Sequence, residues 1–160
     1  NLQFGENGLG LERSFLGVGF AIPSNLAQRV VPDLIETGEY AHPWIGFSGV
    51  DVVPEIATDM ELREIRGALV IRVIPGSPAE TAGLRGGDHE IQVMGRPLKV
   101  GGDVIIRIND YDIQRFDDIL SYLSRRAEVG ERVDLLIIRN GETQTVTVIL
   151  GERPSIVEPR

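Results

Sequence analysis

Pro75-Gly76-Ser77-Pro78-Ala79-Glu80-Thr81-Ala82-Gly83-Leu84 packs a full set of helix-boundary signals into ten residues. Ser77 can cap the helix with its hydroxyl, and Pro78 brings a fixed φ suited to the first helical position. Glu80 stands three residues after the cap, as a capping box requires, and Gly83 offers the left-handed exit. A helix bounded so tightly is short. Before it, the β-rich run from Ala68 to Ile74 reads as a strand that ends in the Pro75-Gly76 turn. After it the chain repeats itself. Gly86-Gly87-Asp88-His89-Glu90-Ile91-Gln92-Val93 and Gly101-Gly102-Asp103-Val104-Ile105-Ile106-Arg107-Ile108 share one pattern, fifteen residues apart. Two copies are fewer than the ~3 a solenoid needs, so the repeat predicts an inserted hairpin over about 89–102.

Further out, Phe116, Ile119, Leu120 and Leu123 recur at helical spacing, which predicts a helix from Asp117 to Arg126, with Gly130 closing the connection beyond it. Asp117 and Asp118 fall in its first turn, where the macrodipole favours negative charge. Val133–Arg139 and Thr143–Leu150 flank Asn140-Gly141, a strong short-range hairpin signal. Upstream, Phe47–Val53 alternates as a strand, and 55–66 reads as a loose amphipathic stretch. This region opens at His42-Pro43 and is bounded as one domain over 41–153, with a fraying tail over 154–160. Ahead of it, 1–16 reads as a loop, Gly17–Ile22 as a short buried strand closed by Pro23, and the following residues as a helix with Leu26, Val30, Val31, Leu34 and Ile35 on one stripe. The fold class is mixed α/β (α+β): five to six strands with two helices and an inserted hairpin, preceded by a strand-helix extension.

Composition narrows the chemistry. Sixteen basic residues against 24 acidic ones give a net charge of −8, which disfavours nucleic acid as a partner. No cysteine is present, so thiol nucleophiles, disulfides and thiolate metal sites are excluded. No apolar run approaches the ~18 residues needed to cross a bilayer, and no membrane segment is expected. A catalytic serine needs a histidine base, yet only His42 and His89 occur and neither accompanies a nucleophile motif. Asp88-His89-Glu90 is a weak metal candidate, because neighbours along a strand point to opposite faces. The pairs Gly8/Gly10 and Gly17/Gly19 lack the third glycine of a dinucleotide loop. No catalytic residue, metal site or cofactor is assigned.

Three segments in register resemble the HtrA family of trypsin-like serine proteases: Gly17-Val18-Gly19-Phe20-Ala21-Ile22-Pro23-Ser24, Pro43-Trp44-Ile45-Gly46, and Pro75–Ala79 with Ala82-Gly83-Leu84. The resemblance covers nearly everything from Gly17 to Leu150. It implies a PDZ domain, a partly open β-barrel or sandwich, over 41–153. It also implies that 1–40 holds the last strand, helix and linker of a serine endopeptidase domain whose triad precedes residue 1. Such proteins act outside the cytosol, in the periplasm or cell envelope, in protein quality control and stress response. They are built on homo-oligomers, often trimer-based. Carried over residue by residue, Trp44, Ile45, Gly46 and Phe47 form the loop that turns backbone N–H groups toward a peptide's terminal carboxylate. The peptide adds as a strand along Ser48, Gly49 and Val50, opposite a helix wall of Phe116, Leu120 and Leu123. The expected partners are protein C-termini, unfolded polypeptides and the protease domain. Family members often carry arginine or lysine where this chain has His42, whose ordinary pKa of ~6.5 would make it a pH-sensitive carboxylate contact. Two other readings stand beside peptide capture. One is peptidase activity belonging to a longer parent; the other is an oligomer-assembly or scaffold element.

Overall fold

In the computed structural model, the short helix forms where its boundary signals fall, over Pro78–Thr81 (α2). The Ser77 Oγ accepts the Glu80 N–H at 3.3 Å. The Glu80 carboxylate reaches one residue further back than a capping box would have it, to the N–H of Gly76 at 2.7 Å. The reason is local: the N–H of Ser77 already bonds the Ile74 carbonyl at 3.2 Å, closing the turn.

The structure describes residues 41–154 and, ahead of them, Val31 and Ile35. The chain divides into two units, 1–38 and 39–160. In the first unit Val31 and Ile35 are helical and exposed. The expected loop, the strand at 17–22 and the rest of that helix lie outside the described residues, as does 155–160.

The second unit is built on a six-stranded antiparallel sheet. Its path runs β2 (Phe47–Asp51), β3 (Ala68–Val73), β6 (Val104–Ile108), β8 (Arg132–Arg139), β9 (Glu142–Ile149), and β7 (Tyr111–Asp112) pairs with β6. Two smaller ribbons attach to it: β1 (Pro43–Trp44) with β10 (Gly151–Glu152), and the inserted hairpin β4 (His89–Val93) with β5 (Arg96–Val100). The sheets are open rather than closed into a barrel, which makes β2 an edge strand. The stretch read as loosely amphipathic holds a helix at Pro54–Asp59 (α1), with Pro54 in its first turn. The long helix runs Phe116–Arg126 (α3). The described residues of this unit thus contain three helices where the sequence suggested two.

Alternation along β3, and along β6 with a register shift between Ile105 and Arg107, buries both faces of the sheet. Val70, Ile105 and Ile108 join Ile45, Ala79, Ile119, Leu135, Ile137 and Leu150 in one core, toward α2 and α3. Leu69, Val104 and Ile106 face the other way, where Val52 and Ile56 cover them together with the hairpin residues Ile91, Val93 and Leu98. The hairpin therefore closes a second core. Asn140 and Gly141 both have positive φ, at 51° and 77°, the conformation of a tight hairpin turn that Asn-Gly favours. The hairpin turn of β4 and β5 adopts the same conformation at Met94 and Gly95, with φ of 49° and 74°.

The two Gly-Gly-Asp repeats meet in space. A side chain on Gly102 would collide with the Val70 carbonyl and with the backbone of Gly86 and Gly87, so the glycines are where three stretches of backbone cross. The aspartates then diverge. Asp103 is fully buried; its carboxylate receives Nε of Arg139 at 2.6 Å, Nη2 of Arg139 at 2.7 Å and the N–H of Arg85 at 2.8 Å. Arg139 also donates to the Gly83 carbonyl at 2.8 Å. This bidentate pair locks the exit of α2, the start of β6 and the end of β8 together. Asp88 stays exposed and accepts from His89 Nδ1 at 2.7 Å, while His89 Nε2 lies 2.8 Å from Asp59 at the end of α1. That imidazole fastens the root of the hairpin to α1. The two repeat positions should respond differently to truncation. Asp103→Ala strands a mostly buried guanidinium and should lower unfolding free energy by about 3 kcal/mol in urea titrations, with Asp88→Ala causing little change; equal losses would refute the assignment.

Asp88 first, and then Asp59, raise the His89 pKa above its ordinary 6.5, while His89 lowers the Asp88 carboxyl below 3.8. The stabilisation from the raised imidazole is fully present below about 6.5 and disappears as pH climbs through the folded value. The carboxylate's share disappears only as pH falls through its lowered value, below about 3.8. His89→Ala should therefore cost more stability at about pH 5.5 than at about pH 8.5; an equal cost at both in thermal unfolding would exclude the clasp.

Candidate functional site

Site geometry starts from where the chain enters the sheet. Trp44 pairs with Gly151 across the β1–β10 ribbon, and the His42 carbonyl accepts the Arg153 N–H at 2.9 Å, so the loop entrance is held at the surface. Ile45 then drops its side chain into the main core, 1% exposed, and contributes only backbone to the outside. Its carbonyl accepts the Ala79 N–H at 2.7 Å. The next carbonyl, of Gly46, accepts the Ile74 N–H at 2.9 Å and the Ser77 hydroxyl at 3.0 Å. Ile74 and Ser77 belong to the turn from β3 into α2, and Ala79 to the first turn of α2 itself.

That single fact sets the direction of the N–H groups. In a trans peptide the N–H lies opposite the C=O, and no cis bond occurs among the described residues. With the Ile45 and Gly46 carbonyls both drawn toward the β3–α2 turn, the N–H groups of Gly46 and Phe47 both point away from it. An ordinary strand would send them to opposite sides; the φ of +92° at Gly46 brings them to the same one. A Cβ at Gly46 would overlap Cβ of Ser77. Phe47 pairs with Val73, and the Ile74-to-Gly46 bond beside that pair makes it a non-hydrogen-bonded one, so Phe47's own N–H and C=O face the open edge of β2.

Across from this edge lies α3, packed against β1 and β2. Phe116 meets Phe47 edge to face, with ring centroids 5.9 Å apart and planes at 79°. It also sits against Gly49, where a Cβ would come within 3.1 Å of its ring. Asp51 pins this end of the helix: Oδ1 accepts the Phe116 N–H at 2.7 Å and Oδ2 lies 3.2 Å from Arg115 Nε. Asp118 completes the cap by accepting from the N–H groups of Gln114 and Arg115, each at 2.9 Å. One and two turns along from Phe116, Leu120 is 50% exposed and Leu123 is half-buried. Ile119 and Tyr122 take the core-facing positions.

Of the residues singled out from sequence, Trp44, Ile45, Gly46 and Phe47 form the loop, with Gly49 and Phe116 against Phe47 and with Leu120 and Leu123 on the same helix. Ser48 is exposed. Val50 leaves the strand on the face opposite Phe47 and packs with the second core, and its backbone pairs with Leu69 of β3 rather than facing the open edge. His42 is exposed at the loop entrance. Sequence reading missed Ser77 and Asp51. Ser77 was visible as a helix cap, but its hold on Gly46, 31 residues away, has no local signal. Among the described residues no group of acidic and histidine side chains could hold a metal ion, and no helix is long and apolar enough to cross a membrane.

Residues 43–150 match the PDZ domain family. Among curated proteins, a probable periplasmic serine endoprotease DegP-like from Marinomonas sp. is 36% identical over 141 residues, covering 88% of this chain and 27% of that protein. The periplasmic pH-dependent serine endoprotease DegQ of Escherichia coli is 33% identical over 140 residues, again 88% of this chain and 27% of the other. The chain thus spans about a quarter of the length of these relatives. Among solved structures, the HtrA-type protease AlgW with decapeptide superposes with a TM-score of 0.64 at 28% identity, over 88% of this chain and 38% of that one.

Replacing Gly46 tests the loop directly. Gly46→Ala meets both the positive φ and the Ser77 contact, and should cost about 2–4 kcal/mol in chemical denaturation, with amide shift changes concentrated at Ile74, Ser77 and Ala79. A loss below about 0.5 kcal/mol would show the loop is not held as described.

Proposed function

Because the chain belongs to the PDZ domain family and matches the PDZ region of HtrA-type serine proteases, we propose that it captures the C-terminal segments of other polypeptides. The observation that carries this reading is the pair of N–H groups at Gly46 and Phe47, aimed together at the end of an open edge strand. A terminal carboxylate supplies the charge and the acceptor lone pairs such a pair can use. Behind it, an extended peptide adds antiparallel to β2, exchanging backbone hydrogen bonds with the outward-facing residues Phe47 and Gly49. The last side chain, apolar, lies against Phe47, Leu120 and Leu123. His42, at the loop entrance, approaches the carboxylate and favours it when protonated.

In this reading the domain serves a serine endopeptidase on the same polypeptide, presenting C-termini and unfolded segments to it or regulating it through their capture. The work is protein quality control outside the cytosol, as the periplasmic naming of the relatives suggests. Catalysis belongs to residues other than these.

Hydrogen bonds to a charged group contribute ~1.5–3 kcal/mol each, against ~1 for a neutral backbone bond, so the carboxylate dominates per contact. Calorimetry with one peptide as its free acid and as its C-terminal amide should show the amide at least ~10-fold weaker. Equal affinities would eliminate carboxylate capture. The same titration at mildly acidic and neutral pH reads the His42 contact, expected as tighter binding at the lower pH.

A further inference from the structure

The open edge of β2 does not end in bare solvent. At Asp51 it runs into a cleft of about 770 Å³ between the sheet and the β4–β5 hairpin, a size within the ~300–1,000 Å³ usual for ligand sites. Val50, Val53 and Phe116 form one side, and two of these belong to the strand and helix that flank the peptide groove. Val93, Met94 and Leu98 of the hairpin form the other. Met94 is 84% exposed. Its φ of 49° places a large apolar side chain at a turn position that asparagine or glycine fills more readily. Arg96 and Asp117, both exposed, line the cleft as well and leave its rim polar.

We infer that this cleft receives the upstream part of the same peptide, from about the sixth residue before its C-terminus, and selects apolar side chains there. The inference rests on the peptide-capture reading. Strand addition fixes the direction: with the carboxylate at Phe47, an antiparallel peptide travels from Phe47 toward Asp51. β2 provides five residues, and at ~3.3 Å per residue a partner strand uses about five of its own along them. The next residues emerge where Asp51 and Phe116 meet, and the cleft begins with those two residues. Continuity with the groove is what commits the cleft to this occupant. Met94 suits the task because an unbranched thioether chain adapts to varied apolar partners.

Fluorescence anisotropy on the full 160-residue chain tests this with three synthetic peptides. The first is a five-residue peptide with a free C-terminal phenylalanine. The second is a ten-residue extension with leucine and valine upstream, and the third the same extension in serine and glycine. The apolar ten-residue peptide should bind ~10-fold tighter than the other two, which should be alike. Met94→Asn keeps a residue suited to the turn, so the hairpin should fold with an unchanged melting temperature while the ~10-fold gain disappears and five-residue binding stays the same. If the five-residue peptide binds and the apolar extension adds nothing, the upstream cleft is refuted and carboxylate capture stands. A gain that survives Met94→Asn also refutes it. Self-association that Met94→Asn abolishes would give the cleft to a second copy instead, overturning the inference. If none of the peptides binds, capture itself fails and the inference falls with it.

Discussion

Two backbone carbonyls, those of Ile45 and Gly46, are drawn into the body of the domain by Ala79, Ile74 and Ser77, and the site depends on that orientation. Leaving either carbonyl without a donor in this buried position would cost ~1–3 kcal/mol, so the arrangement is energetically enforced. What faces outward is then decided by peptide planarity. The bonds that fix the loop all lie within the domain, and a site held by such bonds spends less of its binding energy on ordering. The helix α2 thereby has a purpose beyond packing. Four residues long, it places the Ala79 N–H, and its cap residue Ser77 is shared between helix and loop.

Local signals were legible and long-range ones were not. The ends of α2, the Asn140-Gly141 turn and the existence of α3 were readable because each rests on residues close together in the chain. Ser77 and Gly46 are 31 residues apart, and Asp51 and Phe116 are 65 apart. Pairings of that kind are created by the register of β2 on β3 and by the seat of α3, which no window of sequence encodes. The helix stripe shows the same limit. Phe116, Ile119, Leu120 and Leu123 have helical spacing, yet Ile119 and Tyr122 are the buried pair and Leu120 is half exposed. Which part of a broad apolar stripe meets the core depends on what it packs against. The turn at Met94-Gly95 escaped for the opposite reason: its conformation matches that of Asn140-Gly141, but methionine is a poor turn signal. The PDZ family itself was legible because its loop, cap helix and spacing recur as residues rather than as contacts.

The repeated Gly-Gly-Asp pattern shows how one sequence unit acquires two structural roles. Both copies form turns that approach β3: Gly87 donates to the Ile71 carbonyl at 2.8 Å, and the Asp103 carbonyl accepts from Val70 at 2.8 Å. Their glycines serve the same steric need at the crossing. The aspartates differ because only Asp103 lies under the end of β8, where Arg139 can reach it; Asp88 opens to solvent and finds His89. The first copy launches the hairpin and the second returns the chain to the sheet. Inserting a hairpin at that crossing leaves the β3–β6 pairing intact while covering a sheet face that would otherwise expose Leu69, Val104 and Ile106.

A site of this design separates three kinds of selectivity by their physics. In the proposed reading, the paired N–H groups would distinguish a chain end from a chain interior through charge, whatever the sequence. Strand addition along β2 would hold any extended backbone, because main-chain hydrogen bonds are common to all residues. Sequence discrimination is then left to side-chain contacts, and these are apolar and shallow at Leu120, half exposed on the helix. Burial of one such side chain contributes ~1.5–3 kcal/mol at full depth and less when partial, so a single terminal pocket discriminates weakly. If the domain serves many misfolded chains, as proposed, weak terminal selectivity suits it. What it must still avoid is holding every folded protein whose last residue happens to be apolar. An apolar cleft further along the strand direction meets that requirement, since an apolar upstream segment becomes accessible in extended form chiefly when the protein that carries it has lost its own packing.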